Sequence, residues 1–331
     1  MNPFDSTLQE FTELIVTKIE SLEKEWSKPW INTGKNGNFI PQNISGRFYS
    51  HGNAFLLSLL CDLRQYETPV FLTFLQAKDL NLKIRKGARS FPVYYVCRFI
   101  THKEKRNRIT EKEYNELTTE QKKAYSVTCG LKSYRVFNLD QTDYKEVYPA
   151  EWQVKLSHFQ TALPDTSPEM YHNLILDELF LTQTWVCPIR IQQSNRAFFR
   201  PSEDFIQLPL KQQFKDGESF YATALHEMSH STGTEQRLNR KIKNGFGTND
   251  YGREELVAEL SAAIAGLYLC VSTSIREENL TYLKSWLSAI RQEPKFLMSV
   301  LSDVSKAVKY ILNHLGVSTE NFISSAESVT A

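Results

Sequence analysis

The sequence predicts an α+β protein, with a small mixed domain first and a mostly helical domain after it. Three observations support this. The chain has 331 residues, enough for two domains of ordinary size. The β-branched and aromatic runs "FPVYYVCRFI" and "SYRVFNLDQT" fall in the first half and read as paired strands. The last third, "REENLTYLKSWLSAIRQEPKFLMSVLSDVSKAVKYILNHLG", keeps helical spacing throughout and breaks at Pro294.

Taken in order, residues 5–26 form an amphipathic helix, with Leu8, Phe11, Ile15, Ile19 and Leu22 at three- and four-residue steps. "KPWINTGKNGNFIPQNISGRFYSHGN" is rich in Gly, Asn, Pro and Ser and reads as loop. "AFLLSLLCDLR" follows as a short buried helix, and Val70 to Leu82 as a helix around "LTFLQAKDL". Between the two strands, residues 102–126 are highly charged and form an exposed hairpin extension or insertion. Residues 145–165 hold the expected boundary, giving a first domain over 1–150, a second over 160–318 and a disordered tail over 319–331. In the second domain "RAFFRPSEDFIQLP" reads as strand, turn and strand. "SFYATALHEMSHSTG" is a helix, with Ser219 as N-cap and Gly233 as its stop. "NRKIKNGFGTNDYG" is a loop leading to a second helix, "REELVAELSAAIAGLYL".

Composition narrows the class. Apolar residues make up 41% and aromatic residues 12%, a globular balance, and no apolar run approaches the length of a membrane span. "MNPFDSTLQEFTELI" lacks the basic stretch and apolar block of a secretory signal. Five scattered cysteines without a CxxC pair indicate a reducing compartment, so the expected setting is cytoplasmic, with no membrane partner. The net charge of +1 hides an asymmetry: +5 over residues 1–150 and −4 over 151–331. Residues 83–108 hold nine basic residues and one acidic, which suits either a polyanion partner or a solvated basic loop.

The sharpest motif is "ATALHEMSHSTG", an HExxH sequence. Residues four apart on a helix differ by about 40° of rotation and about 6 Å of rise. His226 and His230 therefore share a face and can offer two imidazole nitrogens to one tetrahedral ion. Glu227 sits about 100° round from His226, where its carboxylate can take a proton from a water in the open coordination position. The competing reading is two histidines packed on an ordinary helix. A third ligand is available downstream in "REELVAEL", where Glu255 and Glu259 share a face. Glu255 is the expected ligand and Glu259 the group hydrogen-bonded to a ligating imidazole, with Glu254 and Glu259 as alternative ligands. The implied cofactor is one zinc ion, with other divalent metals as alternatives. Tyr251, four residues before Glu255, packs at the helix start or donates to an oxyanion.

Several ordered blocks extend this picture: "KPW" at 28–30, "PQNISGRFYSHGNAFLL" at 41–57, "TPVFLTFLQAKDL" at 68–80, "IRKGARSFPVYY" at 84–95, "RVFNLDQTD" at 135–143, "AFFRPSEDFIQLP", "FYATALHEMSHSTGTEQRLNR", "REELVAELSAAIAG" and "YLKSWLSAI". Through them the sequence resembles the ArdC-type antirestriction proteins of plasmids and conjugative elements. The resemblance implies an N-terminal single-stranded-DNA-binding domain joined to a C-terminal zincin-like metallopeptidase domain. It departs from that family at Phe71 (usually Trp), Asn81 (near a usual Gly) and Thr234 (usually His).

Sequence-tolerant single-strand binding needs cations along the phosphates and rings for the bases. Arg47, Lys83, Arg85, Lys86 and Arg89 supply charge. Trp30, Phe48, Tyr49 and Phe71 supply rings, and Asn43, Asn53, Thr73 and Gln76 supply hydrogen-bonding groups. The expected partners are single-stranded DNA and a host protein substrate. Two other functions fit the same residues: a non-catalytic single-strand binder with a structural metal, and a metalloprotease whose basic half binds protein.

Overall fold

The structure, a computed structural model, describes residues 3–24, 39–160, 172–240, 249–271, 273, 282–317 and 322–323. The first half opens with α1 (Pro3–Lys24), whose Leu8, Phe11, Ile15, Ile19 and Leu22 are all buried as the spacing requires. Two short strands, β1 (Gln42–Asn43) and β2 (Phe48–Tyr49), interrupt the expected loop. Gly46, at φ +83°, turns the chain between them in a conformation that favours glycine. Next comes α2 (His51–Arg64), buried at every position from His51 to Cys61. Such a helix must lie inside the molecule.

The expected helix from Val70 to Leu82 is a strand followed by a helix: β3 (Val70–Leu72) and α3 (Phe74–Asp79). Val70, Phe71 and Leu72 are buried on both faces between neighbouring strands, and that pairing overrides the helical pattern. Asn81 takes φ +54°, which explains why a glycine suits its neighbourhood in the resembling family. β4 (Phe91–His102) carries the extension, formed by β5 (Arg108–Ile109), α4 (Glu111–Glu116) and α5 (Thr119–Lys122). β6 (Tyr125–Asn138) returns antiparallel to β4, in register from Phe91 with Val136 to His102 with Tyr125. Then follow α6 (Tyr144–Val147) and α7 (Pro149–Gln160).

The second half begins with α8 (Leu174–Thr182), then β7 (Ile189–Ile191), β8 (Phe198–Arg200) and β9 (Phe205–Leu208). Four helices complete it: α9 (Gly217–Ser231), α10 (Asn249–Leu269), α11 (Leu283–Gln292) and α12 (Pro294–His314). α9 is capped by Asp216, not Ser219: the Asp216 Oδ1 accepts from the Ser219 N–H at 2.7 Å. Gly233 stands beyond the C-cap, Thr232, and donates its N–H to the His230 carbonyl without a left-handed turn. Of the expected tail at 319–331, residues 322–323 form β10 (Phe322–Ile323), parallel to β2. The rest lies outside the described residues.

Among the described residues, one sheet of seven strands runs β10-β2-β1-β3-β6-β4-β5, and a second of three runs β7-β9-β8. α9 packs on β8 and β9. The main apolar core is continuous from Phe11 of α1 through α2, α9 and α10 to Leu312 of α12. α1 lies against α2, α11 and α12, so the two halves share that core. A smaller cluster joins Val70, Leu72 and Ala77 to Trp152 and Phe159 of α7, so the chain is still packed on the first half's sheet near the end of α7.

α10 carries small residues at Ala258, Ala262, Ala263 and Gly266. Gly266 meets the chain's own exit: a Cβ there would sit 2.5 Å from the Val271 carbonyl oxygen and 3.0 Å from Thr273 Cγ2. The same turn is closed by Val271 N–H to Gly266 O at 2.8 Å. Gly266→Ala is expected to destabilise the protein by about 1–3 kcal/mol, read by chemical denaturation, because backbone and not a flexible tip must move.

Candidate metal centre and nucleic-acid face

The helical period of α9 brings two imidazoles together. His226 and His230 face one point, with Nε2 atoms 3.0 Å apart. α10 crosses α9 and delivers Glu255 between them, Oε2 lying 3.4 Å from His226 Nε2 and Oε1 3.6 Å from His230 Nε2. Around a tetrahedral zinc with ligand bonds near 2.0–2.1 Å, donor atoms stand about 3.3 Å apart. The edges found here bracket that value, and the donors are the borderline nitrogen and oxygen types that zinc takes. His226, His230 and Glu255 are the group among the described residues whose donor atoms all lie close enough for one ion.

The outward nitrogens are engaged by two more acids of α10. Glu254 Oε1 is 3.3 Å from His230 Nδ1, and Glu259 Oε1 is 3.9 Å from His226 Nδ1. His226 Nδ1 is buried and makes no hydrogen bond at this distance, so a small shift of Glu259 would complete the pair. All three glutamates are buried. Arg240 holds Glu254 with both arms, Nε to Oε2 at 3.0 Å and Nη2 to Oε1 at 2.8 Å. It also bonds the Thr232 hydroxyl and the Ser229 carbonyl, each at 2.8 Å, tying Glu254 to the end of α9.

Charge follows from this packing. Burial lowers the His230 pKa, but Glu255 and Glu254 outweigh it and hold the imidazole up to about 10. Burial raises Glu255, yet His230 and His226 outweigh it and keep the carboxyl well below its usual range. Glu227, buried beside the pair, accepts the N–H of Phe199 in β8 at 2.8 Å, which fixes its carboxylate against the strand. Burial, followed by the Glu255 charge and hydrogen bond, pushes the Tyr251 phenol well above its ordinary value. Tyr251 therefore stays a proton donor beside the Glu255 carboxylate.

The residues expected to contact DNA divide differently. Tyr49 and Phe71 are buried core rings packed edge to face at 6.2 Å, so neither can stack on a base. Asn53 is buried and bridges the backbone of Tyr94, Nδ2 to O at 2.6 Å and Oδ1 from N at 3.0 Å. Asn43 is buried and accepts the Arg47 N–H at 2.9 Å, closing the β1–β2 turn. Thr73 and Gln76 form the capping box of α3. Arg85 is held by Glu146, at 2.7 and 3.0 Å, and by the Thr142 carbonyl. Arg47 and Lys86 are exposed, with no ion pair among the described residues. Trp30 lies outside the described residues.

One site residue, Arg240, escaped the sequence reading, and Glu254, expected as an alternative ligand, takes another place. Arg240 ends the "TGTEQRLNR" block, where only its burial marks it as a partner to an acid. Glu254 stands beside Glu255 in sequence but meets His230 at Nδ1, where Glu255 faces Nε2.

Residues 177–302 match the family described as zincin-like metallopeptidase. The second half is thus a zincin-like metallopeptidase domain. Residues 5–137 match the N-terminal domain of anti-restriction factor ArdC. Carrying both, the chain is an ArdC-type protein. It is 28% identical to two proteins named DNA primase TraC from Escherichia coli, over 92% and 91% of its own length. It spans only 27% and 19% of theirs. An uncharacterized protein, y4eC of Sinorhizobium fredii (strain NBRC 101917 / NGR234), is 25% identical over 91% of this chain and 89% of its own. Crystal structures of the antirestriction ArdC protein from plasmid R388 share the fold. The metal-free form has a TM-score of 0.67 at 22% identity, covering 96% of this chain and 98% of that one. The Mn(II)-bound form has 0.65 at 23%, covering 93% and 97%. No described helix is long and apolar enough to cross a membrane.

A pH dependence follows for metal-free protein. The depressed Glu255 stabilises the fold above the ordinary carboxylate value, about 4.3, and that support is lost as pH falls. The raised His230 gives full support below the ordinary histidine value, about 6.5, lost as pH climbs toward about 10. Calorimetric Tm in chelator is expected to peak between these values. Because each group holds the other's shift, Glu255→Gln or His230→Gln should each flatten both limbs.

Proposed function

We propose that this chain is an antirestriction-type protein of a mobile genetic element that binds single-stranded DNA and hydrolyses peptide bonds at a zinc centre, in a cytoplasmic setting. The observation that carries the enzymatic reading is the count of donors. Two imidazoles and one carboxylate stand at tetrahedral spacing, which leaves a fourth position for water or substrate, as catalytic zinc sites do and structural ones do not. Bound there, zinc would acidify a water and polarise a carbonyl. The rest is the work of the protein's own groups. Glu227, one residue after a ligand and fixed by the Phe199 amide, is the base that takes the water's proton and passes it to the leaving nitrogen. Tyr251 remains protonated and can donate to a developing oxyanion. Glu254 and Glu259 orient the imidazoles from behind.

Glu227→Gln should keep stoichiometric metal in elemental analysis while lowering cleavage of a fluorogenic peptide library by about 10²–10⁴-fold. His226→Ala should lose both. A Glu227→Gln protein that cleaves as well as wild type would exclude the mechanism.

The single-strand reading rests on the ArdC-type first half and its unpaired cations. Labelled single-stranded oligonucleotide should bind more tightly than its duplex, with affinity falling steeply as salt rises. No binding to either form at low salt would favour the rival in which the basic half meets a protein.

A further inference from the structure

Most side chains expected to touch DNA are engaged in the fold, so the contact surface must be sought among the groups that are not. A cleft of about 690 Å³ opens between α1, the C-terminal end of α2 and the loop at 87–91. That volume is within the ordinary range of small-ligand sites. Its floor is apolar, from Leu14, Leu60 and Phe91. Arg64 and Arg89 stand exposed on its walls, and neither has an ion-pair partner among the described residues. Arg85 and Arg135 nearby differ, being held by Glu146 and Glu10.

We propose that this cleft seats one nucleotide of a single strand, its phosphates on Arg64 and Arg89 and its base on the apolar floor. The proposal rests on the single-strand reading above and assigns it a place. The wall bearing Arg89 is fixed from behind. Arg135 bonds the Ser90 hydroxyl at 2.7 Å and the Ser90 carbonyl at 2.6 Å, and the Gln141 side-chain amide bonds the Arg89 carbonyl at 3.1 Å. Gly87, at φ +85°, turns the chain with open space on its Cβ side, so a sugar–phosphate backbone can pass closely.

The α1 wall carries two carboxylates, which would repel phosphate if bare. Glu10 is neutralised by two hydrogen bonds from Arg135, at 2.8 and 2.9 Å. Glu13 accepts from the Gln9 side chain at 3.1 Å and keeps acceptor capacity for a base amino group. The cleft is thus cationic on one side and hydrogen-bond accepting on the other, the polarity of a nucleotide.

The test titrates a labelled single-stranded oligonucleotide against full-length wild type and Arg64→Gln/Arg89→Gln across a salt series. A Lys105→Gln/Lys112→Gln protein, altered on the distant extension, is the control. Both pairs are exposed, so each variant should melt with wild type. The cleft variant should bind about tenfold more weakly and lose about 1.4 from the log–log salt slope, about 0.7 for each lost phosphate contact. The control should stay within about twofold of wild type. A cleft variant that binds like wild type, or a control that loses as much, would overturn the cleft and leave single-strand binding intact. Wild type that binds no single strand at low salt would remove both.

Discussion

Three carboxylates buried on one helix dictate how the second half is built. Taking an ion out of water costs several kcal/mol unless it is paired and hydrogen-bonded, and Glu254, Glu255 and Glu259 are all buried within two turns of α10. Their compensation comes from α9 and the chain just past it. Glu255 sits between the two imidazoles, Glu254 between His230 and Arg240, and Glu259 opposite His226. α9 and α10 are therefore held in one relative position by charge as well as by packing. A dication at the centre would settle the charge that the histidines only partly offset. The site and the scaffold are, in this sense, a single electrostatic arrangement.

The same arrangement explains why α9 and α10 look unlike surface helices in sequence. Both are buried on most sides, α9 against β8, β9 and α10, and α10 against α9 and α12. Most polar residues survive there because they have an assigned partner, the buried Ser261 hydroxyl and His226 Nδ1 being exceptions among the described residues. Ser229, Ser231 and Thr232 bond back to the helix carbonyls, and the Ser231 hydroxyl also accepts the Trp185 indole N–H at 3.0 Å. A polar residue in such a setting is more informative than an apolar one.

Helical spacing alone placed His226 beside His230 and Glu255 beside Glu259, whereas the meeting of Glu255 with both imidazoles is set by the packing of α10 on α9. The helices at both ends were legible from their periodicity, the strand pair β4–β6 from its β-branched and aromatic runs, and the extension from its charge. The nucleic-acid face was not. Tyr49, Phe71 and Asn53 sit in loop-like or mixed sequence, and their burial is decided by β3, β4 and α2 arriving from elsewhere in the chain. Thr73 and Gln76 did carry a local signal, the T-x-x-Q spacing of a capping box, which accounts for both without any ligand. Arg64 and Arg89 are brought to one cleft by tertiary structure, and no sequence spacing relates them.

The shared core has an organisational consequence. α12 touches α1 and α2 on one side and α9 and α10 on the other. Severing the halves would leave each with an uncovered hydrophobic flank. Homology with the far longer TraC chains accordingly covers nearly all of this sequence instead of one half. The pair behaves as one cassette.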